Sequence, residues 1–222
     1  HYPLRRQRQM CIRDRLSSLY VLIGHEGLFA GCASPRIANG FYPGGMKHIR
    51  QSEGISRAGA KVASALHQLT LFQSPPAAGA HWLELGASPG GMTSELLQRH
   101  YRVTAIDRAP LDPRLSRHPQ LRAFCADALE FRPAPGERFD ALLCDMNGEA
   151  QNALHGVRAH CRTLAAAAPV IFTHKLPHAT LLAEVQDSLE RSLETAGPEL
   201  TLLTTTHLSY NRHELTQIFR KQ

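Results

Sequence analysis

A short apolar strand that runs directly into a glycine-rich turn is the feature that most constrains this chain. Residues 83–91 read LELGASPGG, and the residues from Met92 onward are typical of the first turns of a helix. Glycine lets the backbone approach a ligand closely, and the start of a helix offers unpaired N–H groups and a positive dipole end. The pattern therefore predicts a nucleotide-cofactor loop, although the turn taken alone also fits an ordinary strand-to-helix connection.

The composition of the turn favours S-adenosylmethionine over a dinucleotide. A dinucleotide loop requires G-x-G-x-x-G after the strand, whereas here Ser88 stands at the middle glycine position and Pro89 stiffens the turn. A second predicted strand, 102–106, leads into Asp107, where a carboxylate can accept both hydroxyls of a ribose. Within the turn, the candidate cofactor-binding residues are Gly86, Ala87, Ser88, Pro89, Gly90, Gly91 and Met92.

Length and composition limit the functions that can be considered. At 222 residues the chain has room for one α/β domain and a small appendage. The formal charge is +6, but residues 1–15 hold five arginines against Asp14, so the total charge does not argue for a nucleic-acid partner. The five cysteines form no C-x-x-C pair, and no apolar run reaches the roughly 18 residues that span a bilayer. We therefore expect a cytoplasmic protein without a membrane span.

Three segments are expected along the chain. Residues 1–15, basic and without apolar periodicity, are expected to be a disordered or non-native tail. In residues 16–50, two apolar runs flank residues 24–27, which predicts a β-hairpin followed by a turn-rich linker. The hairpin is expected either to be the remnant of an accessory region or to pack on the main domain. Residues 51–222 are expected to form that domain.

Strands and helices alternate from residue 58 onward. Apolar residues recur at helical spacing from Ala58 to Leu69, with Ser56 as a candidate N-cap, and a last strand is expected to begin near Glu214. The other predicted strands are 81–85, 102–106, 121–125, 141–145, 169–173 and 200–207, and the other predicted helices are 93–99, 151–167 and 179–195. This alternation predicts an α/β fold with a Rossmann-like, doubly wound, largely parallel sheet, whose ligands bind beyond the carboxyl ends of the strands.

Two charged residues follow predicted strands at that edge of the sheet. Lys175 comes directly after an apolar run and before a proline turn, where burial would lower its pKa and suit it as a base or as a hydrogen-bonding director of a hydroxyl. Asp145 ends the neighbouring strand and can pair with Lys175. A surface lysine at a strand end and a helix-capping aspartate remain the alternatives at this stage.

Other charged residues are less informative when taken singly. Lys61 on the first helix and Glu214 on the last strand have solvated charges as their default interpretation. Asp127, after the predicted strand 121–125, can accept a hydrogen bond from the amino group of an adenine or can cap a loop. The thirteen histidines show no H-E-x-x-H arrangement, so we expect no metal.

Five segments taken together resemble the FtsJ-type ribose 2′-O-methyltransferases, above all the RlmM-like branch, which methylates a cytidine ribose in 23S ribosomal RNA. The segments are ISRAGAK at 55–61, LGASPGG at 85–91, CDM at 144–146, HKLP at 174–177 and YNRHE at 210–214. Each motif is weak alone, but their order and spacing are specific. The resemblance covers residue 54 to the end of the chain.

The resemblance implies roles for individual residues. It implies a catalytic tetrad of Lys61, Asp145, Lys175 and Glu214. It implies S-adenosylmethionine contacts at Ser56, Ser88, Pro89, Gly90, Gly91, Asp107, Asp127 and Asp145. Two features depart from the family pattern: Met92 stands where an aromatic residue is frequent, and only the predicted hairpin could represent an RNA-binding accessory region.

The same resemblance implies an RNA partner, with 23S ribosomal RNA as the expected substrate and a monomer or weak dimer as the expected state. Basic side chains at the rim of the site could meet its phosphates, namely Lys47, His48, Arg50, Arg57 and Arg212. Two alternatives remain open: an S-adenosylmethionine-dependent methyltransferase acting on a small molecule or a protein, and a non-catalytic RNA-binding module.

Overall fold

The computed structural model describes residues 17–25, 27–34, 55–176, 181–208 and 210–222. The predicted tail at 1–15 and the linker after residue 34 lie outside the described residues. Lys47, His48 and Arg50 lie outside them as well.

The predicted hairpin is confirmed. Strands β1 (Ser18–Gly24) and β2 (Gly27–Ala33) pair antiparallel, with Gly24 opposite Gly27 at the turn. Much of its apolar surface faces solvent: the side chains of Leu19, Ile23 and Leu28 are between 66% and 76% exposed.

The main body is one seven-stranded sheet, as the alternation of strands and helices predicts. In chain order its strands are β3 (His81–Leu85), β4 (Arg102–Asp107), β5 (Leu121–Cys125), β6 (Ala141–Cys144), β7 (Pro169–Lys175), β8 (Leu200–Thr206) and β9 (Glu214–Lys221). Across the sheet the order is β5-β4-β3-β6-β7-β9-β8. The pairs from β5 to β7 are parallel, and β9 lies antiparallel between β7 and β8.

Two helical layers cover this sheet. The helices are α1 (Ala58–Leu69), α2 (Gly91–Gln98), α3 (Ala150–Ala159) and α4 (Leu182–Ala196). One core cluster joins apolar residues of α1 and α2 to one face of the sheet around Trp82, and the other joins α3 and Ala196 of α4 to the opposite face around Phe172. Burial of these apolar faces on both sides is what holds a central parallel sheet together.

Polar side chains supply part of the packing of α4. His174, on β7, is fully buried and contacts Ser188 of α4 through Nε2 and Gln217 of β9 through Nδ1, at 2.9 and 3.2 Å. Ser192 of α4 donates to the same Gln217 oxygen at 2.8 Å. The last helix is thus fixed to the sheet directly behind Lys175.

Several predicted helix boundaries are wrong, among them the start of α2, which is Gly91 rather than residue 93. The helix predicted at 151–167 ends at Ala159, because the segment after it pairs with Phe139: the Phe139 N–H donates to Thr163 and the Ala165 N–H donates to Phe139. This tertiary pairing overrides the helix propensity of the alanines. The last helix begins at Leu182 rather than 179, and residues 177–180 lie outside the described residues.

The predicted N-cap at Ser56 is also wrong. Arg57 occupies the N-cap position of α1 without a side-chain cap hydrogen bond, and the Ser56 hydroxyl accepts from the Ala58 N–H at 3.3 Å. Ser56 lies instead against Gly91, where its hydroxyl fills the space that a Cβ of residue 91 would need.

Candidate active site

The predicted site residues meet at one edge of the sheet because they follow the carboxyl ends of the parallel strands. Gly86 follows β3, Asp107 ends β4, Asp127 lies two residues after β5, and Asp145 follows β6. Lys175 ends β7. Since β9 runs the opposite way, its first residue, Glu214, reaches the same edge and stands directly opposite Lys175 in the β7–β9 pairing.

Four charged side chains close into one cluster there, called the tetrad below: Lys61, Asp145, Lys175 and Glu214. Lys175 Nζ lies 2.6 Å from Asp145 Oδ1 and 2.7 Å from Glu214 Oε2. Lys61 Nζ forms an ion pair with Glu214 Oε1 and lies 3.7 Å from Asp145 Oδ2. The ammonium groups and carboxylates therefore alternate around a ring in which each charge faces two of opposite sign.

The tetrad is largely removed from solvent, with side chains between 10% and 17% exposed. Two positive and two negative charges balance one another, which is the condition under which ionised groups tolerate burial. Three separate strand ends and the helix α1 contribute its members, so the tetrad exists only in the folded chain.

The expectation that Lys175 has a lowered pKa is wrong. Burial does act to lower the pKa of this ammonium, but the charges and hydrogen bonds of Asp145 and Glu214 outweigh it, and the pKa of Lys175 is raised. Burial likewise acts to raise the pKa of Glu214, and its hydrogen bonds with Lys175 and Lys61 outweigh that effect and lower it. In the free protein, Lys175 is therefore a charged ammonium at neutral pH.

The glycine-rich turn passes close to the tetrad. Gly86 has φ +80°, and a Cβ there would lie 2.8 Å from the backbone carbon of Asp145 and the nitrogen of Met146. Gly90 also has a positive φ, of 106°. Only glycine combines this conformation with such a close approach of two strand ends.

Asp107 ties the turn to the end of β4. Its Oδ2 accepts from the Ser88 N–H at 2.9 Å, and its Oδ1 accepts from the Ala109 N–H at 2.8 Å. Each carboxylate oxygen has two lone pairs, so both oxygens keep capacity for a further donor such as a ribose hydroxyl.

Asp127 is held by one backbone donor and one cation. Its Oδ1 accepts from the Leu129 N–H at 2.8 Å, and its Oδ2 accepts from Arg108, with Nε at 3.2 Å and Nη2 closer. The hydrogen bond from Leu129, followed by that from Arg108, holds the pKa of Asp127 below its ordinary value. Asp127 is therefore ionised and fixed in orientation.

A cavity of about 200 Å³ opens between these groups; it is lined by Gly86, Asp107, Arg108, Asp127, Ala128, Met146 and Asn147. It places Gly86 of the glycine-rich turn beside two carboxylates suited to ribose and amino donors, so the residues present fit an adenosine-containing cofactor. Ala87 and Met92 are buried in the core cluster beside α1 and α2, and Pro89 is exposed.

The structure adds residues that the sequence did not single out. Arg108, Met146 and Asn147 line the cavity, each adjacent or nearly adjacent in sequence to a predicted aspartate. Glu84, in the middle of β3, is 1% exposed and accepts from the Thr93 hydroxyl at 2.8 Å, and burial raises its pKa to about 8. In the sequence, the signal that could have pointed to Glu84 was its position two residues before Gly86.

Two of the basic residues predicted for the rim are described, and both are exposed: Arg57, one turn before Lys61, and Arg212, two residues before Glu214. Among the described residues, no group of three or more His, Cys, Asp or Glu side chains is arranged to hold a metal ion. The helices in this part of the chain include none long and apolar enough to cross a membrane.

Comparison with known proteins places this geometry in context. Residues 55–192 match the model of the FtsJ-like methyltransferase family, which confirms the resemblance and, with it, S-adenosylmethionine as the cofactor. The ribosomal RNA large subunit methyltransferase M of Halorhodospira halophila is 33% identical over 181 residues, covering 81% of this chain and 51% of that protein. The chain spans about half the length of the curated relatives it matches.

Solved structures share the fold. A Streptococcus thermophilus protein provisionally named a hemolysin superposes with a TM-score of 0.67 at 16% identity, over 79% of this chain and 70% of that one. The Burkholderia thailandensis 1,6-didemethyltoxoflavin-N1-methyltransferase, solved with S-adenosylhomocysteine, superposes with a TM-score of 0.52 at 18% identity, over 76% and 80%. The predicted Rossmann-like methyltransferase fold is thereby confirmed.

Proposed function

Because the chain belongs to the FtsJ-like methyltransferase family, we propose that it transfers the methyl group of S-adenosylmethionine to a ribose 2′-oxygen of large-subunit ribosomal RNA. The observation that carries the proposal is the position of Lys175, held between Asp145 and Glu214 beside the cofactor turn. Residues 51–222 would be the catalytic domain, and the hairpin of β1 and β2 would belong to an accessory region.

The cofactor is assigned to the cavity beside Gly86. Asp107 would hold the ribose hydroxyls, Asp127 would accept from the adenine amino group, and the turn from Ser88 to Gly91, with Ser56 against it, would hold the remainder. Asp145 would contribute to both the cofactor site and the tetrad. When bound, the cofactor supplies an electrophilic methyl group on a positively charged sulfur.

The protein must then orient the acceptor hydroxyl and receive its proton. Transfer would join the 2′-oxygen to the methyl carbon, leave the electron pair of the broken methyl–sulfur bond on sulfur, and pass the hydroxyl proton to Lys175 Nζ. Asp145 and Glu214 occupy two of the hydrogen-bonding directions of Lys175 Nζ. In the neutral amine these take both N–H groups, which leaves the lone pair free for the hydroxyl proton.

The other members of the tetrad position that amine. Asp145 and Glu214 fix Lys175 Nζ from two sides, and their charges favour the ammonium that forms once it has taken the proton. Lys61 prevents the two carboxylates from facing Lys175 with an excess negative charge. General-base assistance of this kind contributes roughly 10²- to 10⁴-fold in rate.

RNA is favoured as the acceptor over a small molecule or a protein for two reasons. Lys175 would take its proton from a hydroxyl, and the relatives are named as ribosomal RNA methyltransferases. A ribose 2′-hydroxyl is present in RNA and absent from DNA. Arg57 and Arg212, both exposed beside the tetrad, would contact phosphates of the strand. Localisation in the cytoplasm would follow from such a substrate.

The test is transfer of labelled methyl groups to 23S ribosomal RNA that lacks modifications, followed by digestion to nucleosides. Lys175→Met is compared with Lys221→Met, which changes a lysine at the opposite end of β9. We expect label in a 2′-O-methylribose for the wild type and Lys221→Met, and at least a 10²-fold slower transfer for Lys175→Met with cofactor binding retained. Full activity of Lys175→Met, or label on a base, would contradict the proposal.

A further inference from the structure

Arg108 lines the cofactor cavity although no sequence pattern assigns it a role. It is the first residue after β4, directly after Asp107, and it borders the cavity together with Asp127. The other described residues that line the cavity are acidic, small, or the uncharged Met146 and Asn147. Among the described residues that line this cavity, Arg108 is the one with a positive charge, and its guanidinium is the largest planar group.

The ion pair with Asp127 fixes the plane of this guanidinium. Two of its nitrogens, Nε and Nη2, donate to the same Oδ2 of Asp127, and the side chain is otherwise 76% exposed. Most of the Arg108 side chain is thus open to solvent. A guanidinium held flat in this way is suited to stacking on an aromatic ring.

The same pair leaves Asp127 able to accept another donor. Arg108 uses Oδ2, and the Leu129 N–H uses one lone pair of Oδ1, so one lone pair of Oδ1 remains. Arg108 therefore orients the carboxylate without occupying all of it. An adenine amino group and the guanidinium can be bound at the same time.

We propose that Arg108 binds the purine ring of the cofactor, covering its face with the guanidinium while its ion pair aims Asp127 at the exocyclic amino group. The proposal rests on the assignment of the cavity to S-adenosylmethionine. It makes Arg108 a cofactor-binding residue specific to the adenosine end.

The test is the affinity for S-adenosylhomocysteine, measured by titration calorimetry without any RNA. Arg108→Ala is compared with Arg114→Ala, which removes another largely exposed arginine, paired with Asp112 outside the cavity. We expect Arg108→Ala to weaken binding about tenfold and Arg114→Ala to leave it unchanged. Arg108→Lys should recover only a minor part of the loss, since lysine restores the charge but not the planar fork.

Two further measurements show which part of the cofactor Arg108 contacts. One uses a second ligand, and the other uses a second variant background. Binding of 5′-deoxy-5′-methylthioadenosine, which lacks the amino-acid end, should weaken by the same factor in Arg108→Ala. In the Asp127→Ala background, Arg108→Ala should still weaken binding, though by a smaller factor, because the guanidinium can still cover the ring but has lost the ion pair that fixes its plane. Unchanged or tighter binding by Arg108→Ala, a loss confined to S-adenosylhomocysteine, or a loss that vanishes in Asp127→Ala would each overturn the proposal.

These outcomes separate the inference from the proposed function. A wild-type protein that shows the Arg108 effect but transfers no methyl group to RNA contradicts the RNA assignment alone. A wild-type protein that does not bind S-adenosylhomocysteine contradicts both.

Discussion

The tetrad and the glycine-rich turn lie at the same edge of one sheet, yet they are held by different parts of the chain. The tetrad is held by side chains: four charges from residues 61 to 214 fix one another with little help from the backbone. The turn is held by the backbone: positive φ at Gly86 and Gly90, and the Ser88 N–H, which donates to Asp107. The tetrad should therefore lose stability when a charge is removed without a change of volume. The turn should lose stability when volume is added without a change of charge.

The largest expected effect is the removal of one charge from the tetrad. Glu214→Gln keeps the shape of the side chain but leaves Lys61 and Lys175 facing a single carboxylate. Loss of one partner from a buried ion pair lowers the free energy of unfolding by about 3–5 kcal/mol. Denaturant unfolding measures this loss, and Glu199→Gln, at a partly exposed pair with Arg158, is the control that should change little. Equal effects of the two substitutions would show that the tetrad is no more than a surface pair.

The next effect tests the backbone side of the comparison. Gly86→Ala and Gly136→Ala both place an alanine at nearly the same positive φ, of 80° and 79°. A Cβ at residue 136 meets no atom within 4 Å, whereas one at residue 86 collides with the backbone of Asp145 and Met146. The strain of the left-handed conformation, about 1–2 kcal/mol, is common to both, so Gly86→Ala should be the more destabilising by roughly 2 kcal/mol or more. The same free energy of unfolding for both variants would rule out a steric role of Gly86.

The smallest effect concerns Glu84. This buried carboxyl accepts a hydrogen bond from a hydroxyl, whereas the tetrad carboxylates accept theirs from cations. Its pKa of about 8 in the fold lies above the ordinary value of 4.5, so the folded protein holds a proton there that the unfolded chain has lost. The stability from this group is present below pH 4.5 and declines as the pH rises toward 8. Glu84→Gln should remove about 2 kcal/mol of that decline between pH 5 and 6.5, as followed by unfolding at several pH values. An unchanged pH dependence would show that Glu84 is already ionised in the fold.

Much of the fold could be predicted because local sequence determines it. The predicted strand at 81–85 matches β3 residue for residue, since a buried strand leaves its composition in the sequence. The strand predicted at 121–125 also matches β5, although this edge strand is largely exposed. The end of α3 could not be predicted, because the pairing of residues 163–165 with Phe139 depends on a contact that is distant in sequence.

The site divides in the same way. The position of Lys175 at a strand end follows from the sequence, and its partners follow from the family resemblance. The direction of its pKa does not, because burial and two carboxylates act in opposite senses and only the distances decide between them. Arg108 was missed because an arginine after a strand matches no motif. Only the fold shows that it lines a cavity.

The most direct test of the account is the pH dependence of the single-turnover rate of methyl transfer to RNA, in the wild type and in Glu214→Gln. If neutral Lys175 takes the proton, the rate rises with pH toward the raised pKa of that lysine. Removing one of the carboxylates that keep it protonated shifts the rise to lower pH in Glu214→Gln. A rate that does not depend on pH, or a profile that Glu214→Gln leaves in place, would contradict the role given to the tetrad.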